Sequence, residues 1–357
     1  MAFISLHGHH SLRTRLRDAV ARGALPGSLL LHGPRGVGKQ RLALWLGQLL
    51  LCTGAGERPC GECASCRYVA TMAHPDLRWF FPRPRLGDAD ASAEEVLDDY
   101  ADAIAERVKH GGLYAAPSGT EAIFVATVRA LVQLAARTPS LASRKVFVVG
   151  DAERMVPQEG ADAAANAFLK LLEEPPADTT IIVTSSEPGA LLPTIRSRVV
   201  AIRVPPLPDA DMRELLGEPA VQTALDEGGV VRAIEERVRL AGGALGTLLG
   251  ASSEGEAFTA AKSLLAAATA ERADRVRVVF ALGGSKARGF FSEVLDALTV
   301  LLHQRARAAV TAGDRRGAIG ASRAIDAVEE AKLRAGGNVS PQLLGAALVR
   351  RLAEHLA

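Results

Sequence analysis

Cysteine is scarce in this chain and confined to one place: Cys52, Cys60, Cys63 and Cys66 are the only four in 357 residues. None is left elsewhere for a distributed disulfide framework, so the clustering points to a metal. A charge excess of either sign is also lacking, with 42 lysines and arginines against 40 aspartates and glutamates. That balance excludes a whole-chain electrostatic signature of strong nucleic-acid binding; any DNA contact must be local or shared with partners. No apolar run approaches the roughly 20 residues that a membrane helix requires. The N-terminus, with His7, His9 and His10 ahead of any apolar stretch, does not read as a signal peptide. The expectation is a cytoplasmic protein with no membrane partner.

An apolar fraction of 48% is that of a globular protein, and the length allows two or three domains, each with its own core. Through the first two hundred residues, short β-type runs alternate with helical patterns. Leu29 to Leu31, Leu77 to Phe81, Val146 to Val149, Ile181 to Thr184 and Val199 to Val204 are the predicted strands. Such alternation implies an α/β fold with a parallel sheet covered by helices. A helix is predicted over Arg41 to Leu51. Ser118 and Glu121 suggest a capping box for another, with Ile123, Phe124, Thr127, Val128, Leu131 and Val132 on one face.

Residues 83 to about 117 break the alternation with Pro82 and Pro84, an acidic run from Asp88 to Asp102 and the pair Gly111-Gly112. They read as an exposed insertion with one helix near Glu94 to Lys109. After Pro205, Pro206 and Pro208 the strand signals stop and Ala-, Leu- and Arg-rich helical sequence takes over. A further boundary is expected near Gly250 to Gly255, where Ser252 and Ser253 interrupt the helical pattern. The last helix is expected to begin with Ser340 as N-cap and Pro341 at its first position.

Gly33-Pro34-Arg35-Gly36-Val37-Gly38-Lys39-Gln40 follows a short apolar strand and opens a helix, the context of a phosphate-binding loop. Glycines at 33, 36 and 38 let backbone N–H groups curl round phosphate oxygens, and Lys39 can reach the terminal phosphates. Position 40 departs from a working loop. Ser or Thr belongs there, because its hydroxyl binds Mg²⁺, and Gln40 carries a longer amide. The metal's second holder should be an Asp at the end of a later strand, followed by Glu. Here the strand ending at Val149 runs into Gly150-Asp151-Ala152-Glu153, so the acids are displaced; Asp151 and Glu153 read first as ordinary polar residues at a strand end. A loop that binds phosphate weakly or not at all, without turnover, is the reading these departures favour.

Cys60-x-x-Cys63-x-x-Cys66, with Cys52 before it, offers four thiolates. Tetrahedral Zn²⁺ suits that set in geometry and softness, and four soft ligands leave no open position, so the site should be structural. A redox Cys-x-x-Cys pair or an iron–sulfur cluster are the alternatives, without the flavin or ferredoxin context that would accompany them. A nucleic-acid-binding knuckle has only Arg58 and Arg67 close by.

Three further stretches carry a resemblance: Ala164-Ala165-Asn166-Ala167-Phe168-Leu169-Lys170-Leu171-Leu172-Glu173-Glu174-Pro175-Pro176, Leu191-Leu192-Pro193-Thr194-Ile195-Arg196-Ser197-Arg198, and His74-Pro75-Asp76. With the phosphate loop and the cysteine knuckle behind it, they resemble the bacterial DNA polymerase III clamp-loader family, densely over about residues 10 to 82 and 118 to 206. The resemblance implies a P-loop AAA+ core over 1–205, with the zinc knuckle at 52–66 and an insertion at 83–117. It further implies a helical lid over 206–252 and an all-α collar over 253–357, through which five subunits form an open ring. Asn338-Val339-Ser340-Pro341-Gln342-Leu343 resembles the start of the family's final helix.

Within the family, gamma/tau subunits hydrolyse ATP and delta-prime subunits resemble them without hydrolysing. Gln40 and Gly150-Asp151 resemble the delta-prime pattern, and Leu245 falls where an active subunit carries a nucleotide-sensing arginine. A gamma/tau-like ATPase is the alternative. Ser197-Arg198 resembles the family's Ser-Arg-Cys motif, with Val199 in place of Cys, whose arginine projects into the neighbouring subunit's ATP site; without the family, Arg198 reads as a salt-bridge partner at a strand end. The implied partners are gamma/tau and delta subunits, with the sliding clamp and primed DNA reached through the assembled complex.

Overall fold

The computed structural model describes residues 2–86, 91–117, 121–155, 162–227, 233–249, 251–268, 275, 277–279, 287–335 and 340–356. Five strands, β1 Ser28–His32, β2 Leu77–Phe80, β3 Lys145–Val149, β4 Thr179–Ser185 and β5 Val200–Arg203, form one parallel sheet in the order β2-β3-β4-β1-β5. All five predicted strands are these. Their near-continuous apolar runs are the mark of parallel strands buried on both faces, and every residue of β3 and β4 is buried. β5 stands at the sheet edge and is mostly exposed.

Helices α1 His10–Ala21, α2 Lys39–Leu51, α3 Ala64–Ala70, α4 Ala93–Lys109, α5 Val125–Ala135, α6 Asp162–Glu173 and α7 Pro193–Arg196 accompany the strands. α2 has an unusually broad buried surface that includes Leu42, Leu46, Leu49 and Leu51, because it packs on β1, β3 and β4. A short helical layer follows in the same compact unit: α8 Asp209–Gly217, α9 Pro219–Glu227, α10 Ile234–Ala241 and α11 Gly246–Leu249. A second compact unit begins at Ala251 and includes helices α12 Ala251–Ala268, α13 Ala287–Thr311, α14 Arg315–Ala335 and α15 Pro341–Leu356. Its own core is built from Leu264, Phe291, Leu295, Leu298, Val328 and Leu348. No described helix is long and apolar enough to cross a membrane.

Three expectations are corrected. Residues 83 to 117 are not simply exposed: α4, started by a capping box between Ser92 and Glu95, buries Val96 and Tyr100 in the main core. Tyr100 donates its hydroxyl hydrogen to the Phe81 carbonyl at 2.5 Å, which satisfies the one polar atom of a buried ring. Second, α5 starts at Val125 with Phe124 as its uncapped N-cap. Ile123 precedes it, its N–H donated to the Arg154 carbonyl at 3.0 Å in a parallel bridge toward Met155. Ser118 lies outside the described residues, as do Gly250, Asn338 and Val339. Third, Ser252 and Ser253 do not interrupt a helix, since the backbone is helical from Ala251 onward. Pro341 does begin the last helix.

The His74-Pro75-Asp76 motif acquires a structural role. The Asp76 carboxylate accepts the N–H groups of Ser140, Leu141 and Ala142 at 2.6, 2.8 and 2.7 Å, tying the loop before β3 to the start of β2. Burial pushes the Asp76 pKa up, but those three donors outweigh it and hold the carboxyl below its usual value. Asp76→Asn is expected to destabilise the protein by about 2 kcal/mol near neutral pH, the worth of hydrogen bonds to a charged acceptor. Because the folded-state pKa is depressed, this contribution is complete above the unfolded value of about 3.9 and is lost as pH falls through the folded one. Parallel denaturant titrations of wild type and variant along a descending pH series check this: a stability difference that persists at the acid end contradicts it.

Candidate nucleotide site and cysteine knuckle

β1 ends at His32 and the chain enters α2 at Lys39 through the glycine-rich loop. Gly33 passes so close to the Val204 carbonyl that a Cβ there would overlap its oxygen. Gly36 and Gly38 take φ values of 75° and 89°, which only glycine adopts without strain. Gly33, Gly36, Gly38 and Lys39 thus lie in or at the end of the tight turn between β1 and α2. Lys39 is buried, and its ammonium donates to the carbonyls of Gly33 and Pro34 at 3.0 and 2.8 Å and to Ser186 Oγ at 2.9 Å. Burial lowers its pKa, while the charges of Asp151 and Glu153 act to raise it. In this arrangement the Lys39 ammonium is satisfied by two carbonyls of its own loop and by the Ser186 hydroxyl.

Gln40 is buried and held at both ends of its amide. Its Oε1 accepts the indole N–H of Trp79 at 2.8 Å, and its Nε2 donates to Asp151 Oδ2 at 2.9 Å. Beside it, Gly150 ends the β3 segment with its N–H donated to the Phe80 carbonyl at 2.7 Å. A Cβ at Gly150 would overlap Oε1, Cδ and Nε2 of Gln40, the farthest of them 2.6 Å away. The divalent cation implied by the fold therefore does not fit: no hydroxyl stands at 40, no carboxylate at 150, and an amide fills the space between them. Asp151 and Glu153 brace the backbone instead. The Asp151 N–H donates to Thr184 Oγ1 at 3.1 Å, and Glu153 Oε1 accepts the Ser186 N–H at 2.9 Å.

Trp79 itself is pinned from the inserted segment. The Arg107 guanidinium of α4 lies 4.7 Å from the Trp79 ring centroid, 3.3 Å from Phe81 and 3.8 Å from Tyr114, a cation stacked among aromatic faces. Burial draws its pKa down to about 10, which leaves it protonated at neutral pH. The helical layer after the sheet also reaches the loop. The Gly246 N–H donates to the Gly36 carbonyl at 3.1 Å, and a Cβ on Gly36 would come within 2.9 Å of the Thr247 nitrogen. Leu245, the residue before this contact, is buried. From the N-terminal side, His9 Nε2 lies 3.0 Å from the Val37 carbonyl.

Arg198 follows α7, away from the loop's own contacts. Its Nε donates to Glu173 Oε2 at 2.8 Å, and one terminal nitrogen reaches the Thr194 carbonyl at 3.0 Å and Ser197 Oγ at 3.3 Å. The salt bridge considered for this residue is present, and its partner is the last residue of α6. Sequence reading gave no sign of Glu173 as that partner, nor of Ser186 and Trp79 as partners of Lys39 and Gln40. Each of these contacts joins residues at least 25 positions apart in sequence.

The four cysteines do converge. Their Sγ atoms all lie within 4.8 Å of one another, with Cys52–Cys60 at 3.6 Å and Cys60–Cys66 and Cys63–Cys52 at 4.0 Å. Four Zn–S bonds of about 2.3 Å in a tetrahedron give edges of about 3.8 Å, so the donor set fits a zinc-sized ion. The N–H groups of Cys60, Cys63 and Cys66 point at the sulfurs of Cys52, Cys60 and Cys63 at 3.4, 3.3 and 3.4 Å. Burial alone would raise the Cys63 pKa, but the N–H groups of Cys66 and Thr53 bring it down to about 5, which favours the thiolate that ligation requires.

The family model described as "DNA polymerase III, delta subunit" matches residues 8–208, more than half of the chain. Subunit delta' of DNA polymerase III from Pseudomonas aeruginosa is 34% identical over 221 residues, 60% of this chain and 52% of that one. The delta' subunit of Bacillus subtilis is 27% identical over 192 residues, 54% and 46% of the two chains. Subunit gamma/tau of Mycobacterium tuberculosis is 31% identical over 216 residues, 60% of this chain and 30% of the other. The match spans about half the length of the delta' relatives. By the family model's match over more than half of its length, the chain belongs to the DNA polymerase III delta-subunit family.

Proposed function

We propose that this chain is a non-hydrolysing, delta-prime-like subunit of the DNA polymerase III clamp loader, a scaffold of the ring that supplies Arg198 to a neighbouring ATPase subunit during sliding-clamp loading. The observation that carries it is the filled metal position: the Gln40 amide sits between Trp79 and Asp151 with no room for a side chain at Gly150. A phosphoryl-transfer site needs its cation to neutralise charge on the transferred group. With that cation displaced and Lys39 turned onto its own loop, this subunit is no enzyme by itself and acts as a component of the holoenzyme.

Gamma/tau and delta subunits are the proposed partners, and the clamp and primed DNA are reached through the assembled complex. The three-domain division, with a core to 205, a lid to 252 and a collar beyond, belongs to this reading. So does the assignment of the cysteine site as structural zinc. The alternative, a gamma/tau-like ATPase, is favoured only by the similarity to gamma/tau relatives and makes the opposite prediction for the isolated chain.

In the outward role, Arg198 exchanges its Glu173 partner for the phosphate of a neighbour's nucleotide, where a guanidinium stabilises developing charge. The isolated chain is expected to hydrolyse no ATP above background. Arg198→Ala in the reconstituted loader is expected to slow turnover at the neighbouring site by about 10³-fold or more, with Arg198→Lys equally poor because an ammonium lacks the planar fork. Steady-state ATPase assays of both preparations decide this: Mg²⁺-dependent turnover by the lone chain, or full activity of the Arg198 variant complex, overturns the respective part. For the knuckle, elemental analysis of purified protein is expected to give one zinc per chain. Cys60→Ser is expected to lose the metal and to lower the thermal midpoint. A metal-free preparation that melts like the metallated one contradicts the zinc assignment.

A further inference from the structure

Glycine at the end of β3 and glutamine at the second position of α2 look, in sequence, like two separate losses. In the structure they occupy one volume. The backbone at Gly150 lies outside the left-handed region, so any L residue suits its conformation and only its surroundings exclude a side chain. The three atoms a Cβ would overlap there all belong to the Gln40 amide.

Nor is that amide free to swing aside. Turning it would leave the Trp79 indole N–H without its acceptor and Asp151 Oδ2 without its donor, and the indole is buried, where an unmade hydrogen bond is costly. Trp79 is wedged in turn by Phe81 at 4.8 Å, by Tyr114 at 5.6 Å and by the Arg107 guanidinium. The segment 83–117 thereby supports the amide from behind, through Arg107 and Tyr114.

We infer that the Gln40 carboxamide permanently occupies the volume that a divalent cation and a side chain at position 150 would share, so that Gln40 and Gly150 are one coupled unit. This rests on the reading of the site as non-hydrolysing and adds its physical cause: the site excludes the cation sterically, before any question of ligand chemistry. It also sets an order of change. A residue with a side chain is tolerated at 150 only after Gln40 has been shortened.

A thermal-melting cycle on the full chain tests this with Gly150→Ala, Gln40→Ala and the double variant. In the wild-type background, Gly150→Ala overpacks a filled site and is expected to lower the midpoint by about 3 °C or more. In the Gln40→Ala background the same change is expected to cost less than about 1 °C. Equal losses in the two backgrounds overturn the coupling. If Gly150→Ala alone fails to fold, recovery of folding by Gln40→Ala supports the coupling and failure to recover overturns it.

A second readout is the Trp79 indole N–H resonance in the wild-type protein with excess Mn²⁺. It is expected to stay sharp, and paramagnetic broadening overturns the exclusion of the cation. The two readings fail separately, because ATP turnover by the isolated chain defeats the non-hydrolysing assignment whereas additive midpoint losses defeat only the coupling.

Discussion

β1 is the strand on which the arrangement depends. It pairs on one side with β4 and on the other with β5, in registers that set Leu30 opposite Val183 and Ala201. Because the sheet is parallel, its strands deliver their C-terminal ends to one edge. The glycine loop after His32, the Gly150-Asp151 turn after Val149, Ser186 after Ser185 and Val204 after Arg203 all leave the sheet there. Lys39, Gln40, Asp151 and Ser186 meet for that reason, although more than a hundred residues separate the first two from the others.

The sheet was legible because its strands, buried on both faces except for edge strand β5, read as short apolar runs between turn residues. The start of α2 was legible from the glycine loop, and that of α15 from Pro341. What sequence did not disclose was how the inserted segment packs. Its acidic run suggests a solvated excursion, yet two residues of α4, Val96 and Tyr100, are buried in the core while most of the acidic positions face outward. Binary composition over a window averages these two faces, and an amphipathic helix that docks is then mistaken for one that does not. Ile123 was misplaced for a related reason. Its apolar character fits a helix face, but its N–H is committed to a distant carbonyl, and no local pattern reports such a long-range bridge.

At the candidate site the glycine-rich loop and the clustering of the four thiols were readable because each lies within one short stretch of sequence. Gln40 was readable only as the absence of a hydroxyl. Its positive role, an amide spanning Trp79 and Asp151, comes from a strand and a turn brought together by the sheet order. Arg198 shows the same limit from another side. A motif names the arginine, whereas Glu173, its partner in the folded chain, sits at the end of a different helix. Exposed ion pairs of this kind contribute little to stability.

The helix that begins at the phosphate loop ends in the knuckle. Lys39 and Gln40 lie in the first turn of α2, and Cys52 is its C-cap, about 20 Å away along thirteen residues at 1.5 Å each. One end is held by side-chain hydrogen bonds to the sheet edge, and the other lies among four sulfur atoms close enough together to share one metal ion. A rod anchored at both ends transmits axial displacement from one to the other. Any shift of the loop along the helix axis therefore bears on the spacing of Cys52 from Cys60, Cys63 and Cys66, whose Sγ atoms lie within 4.8 Å of one another.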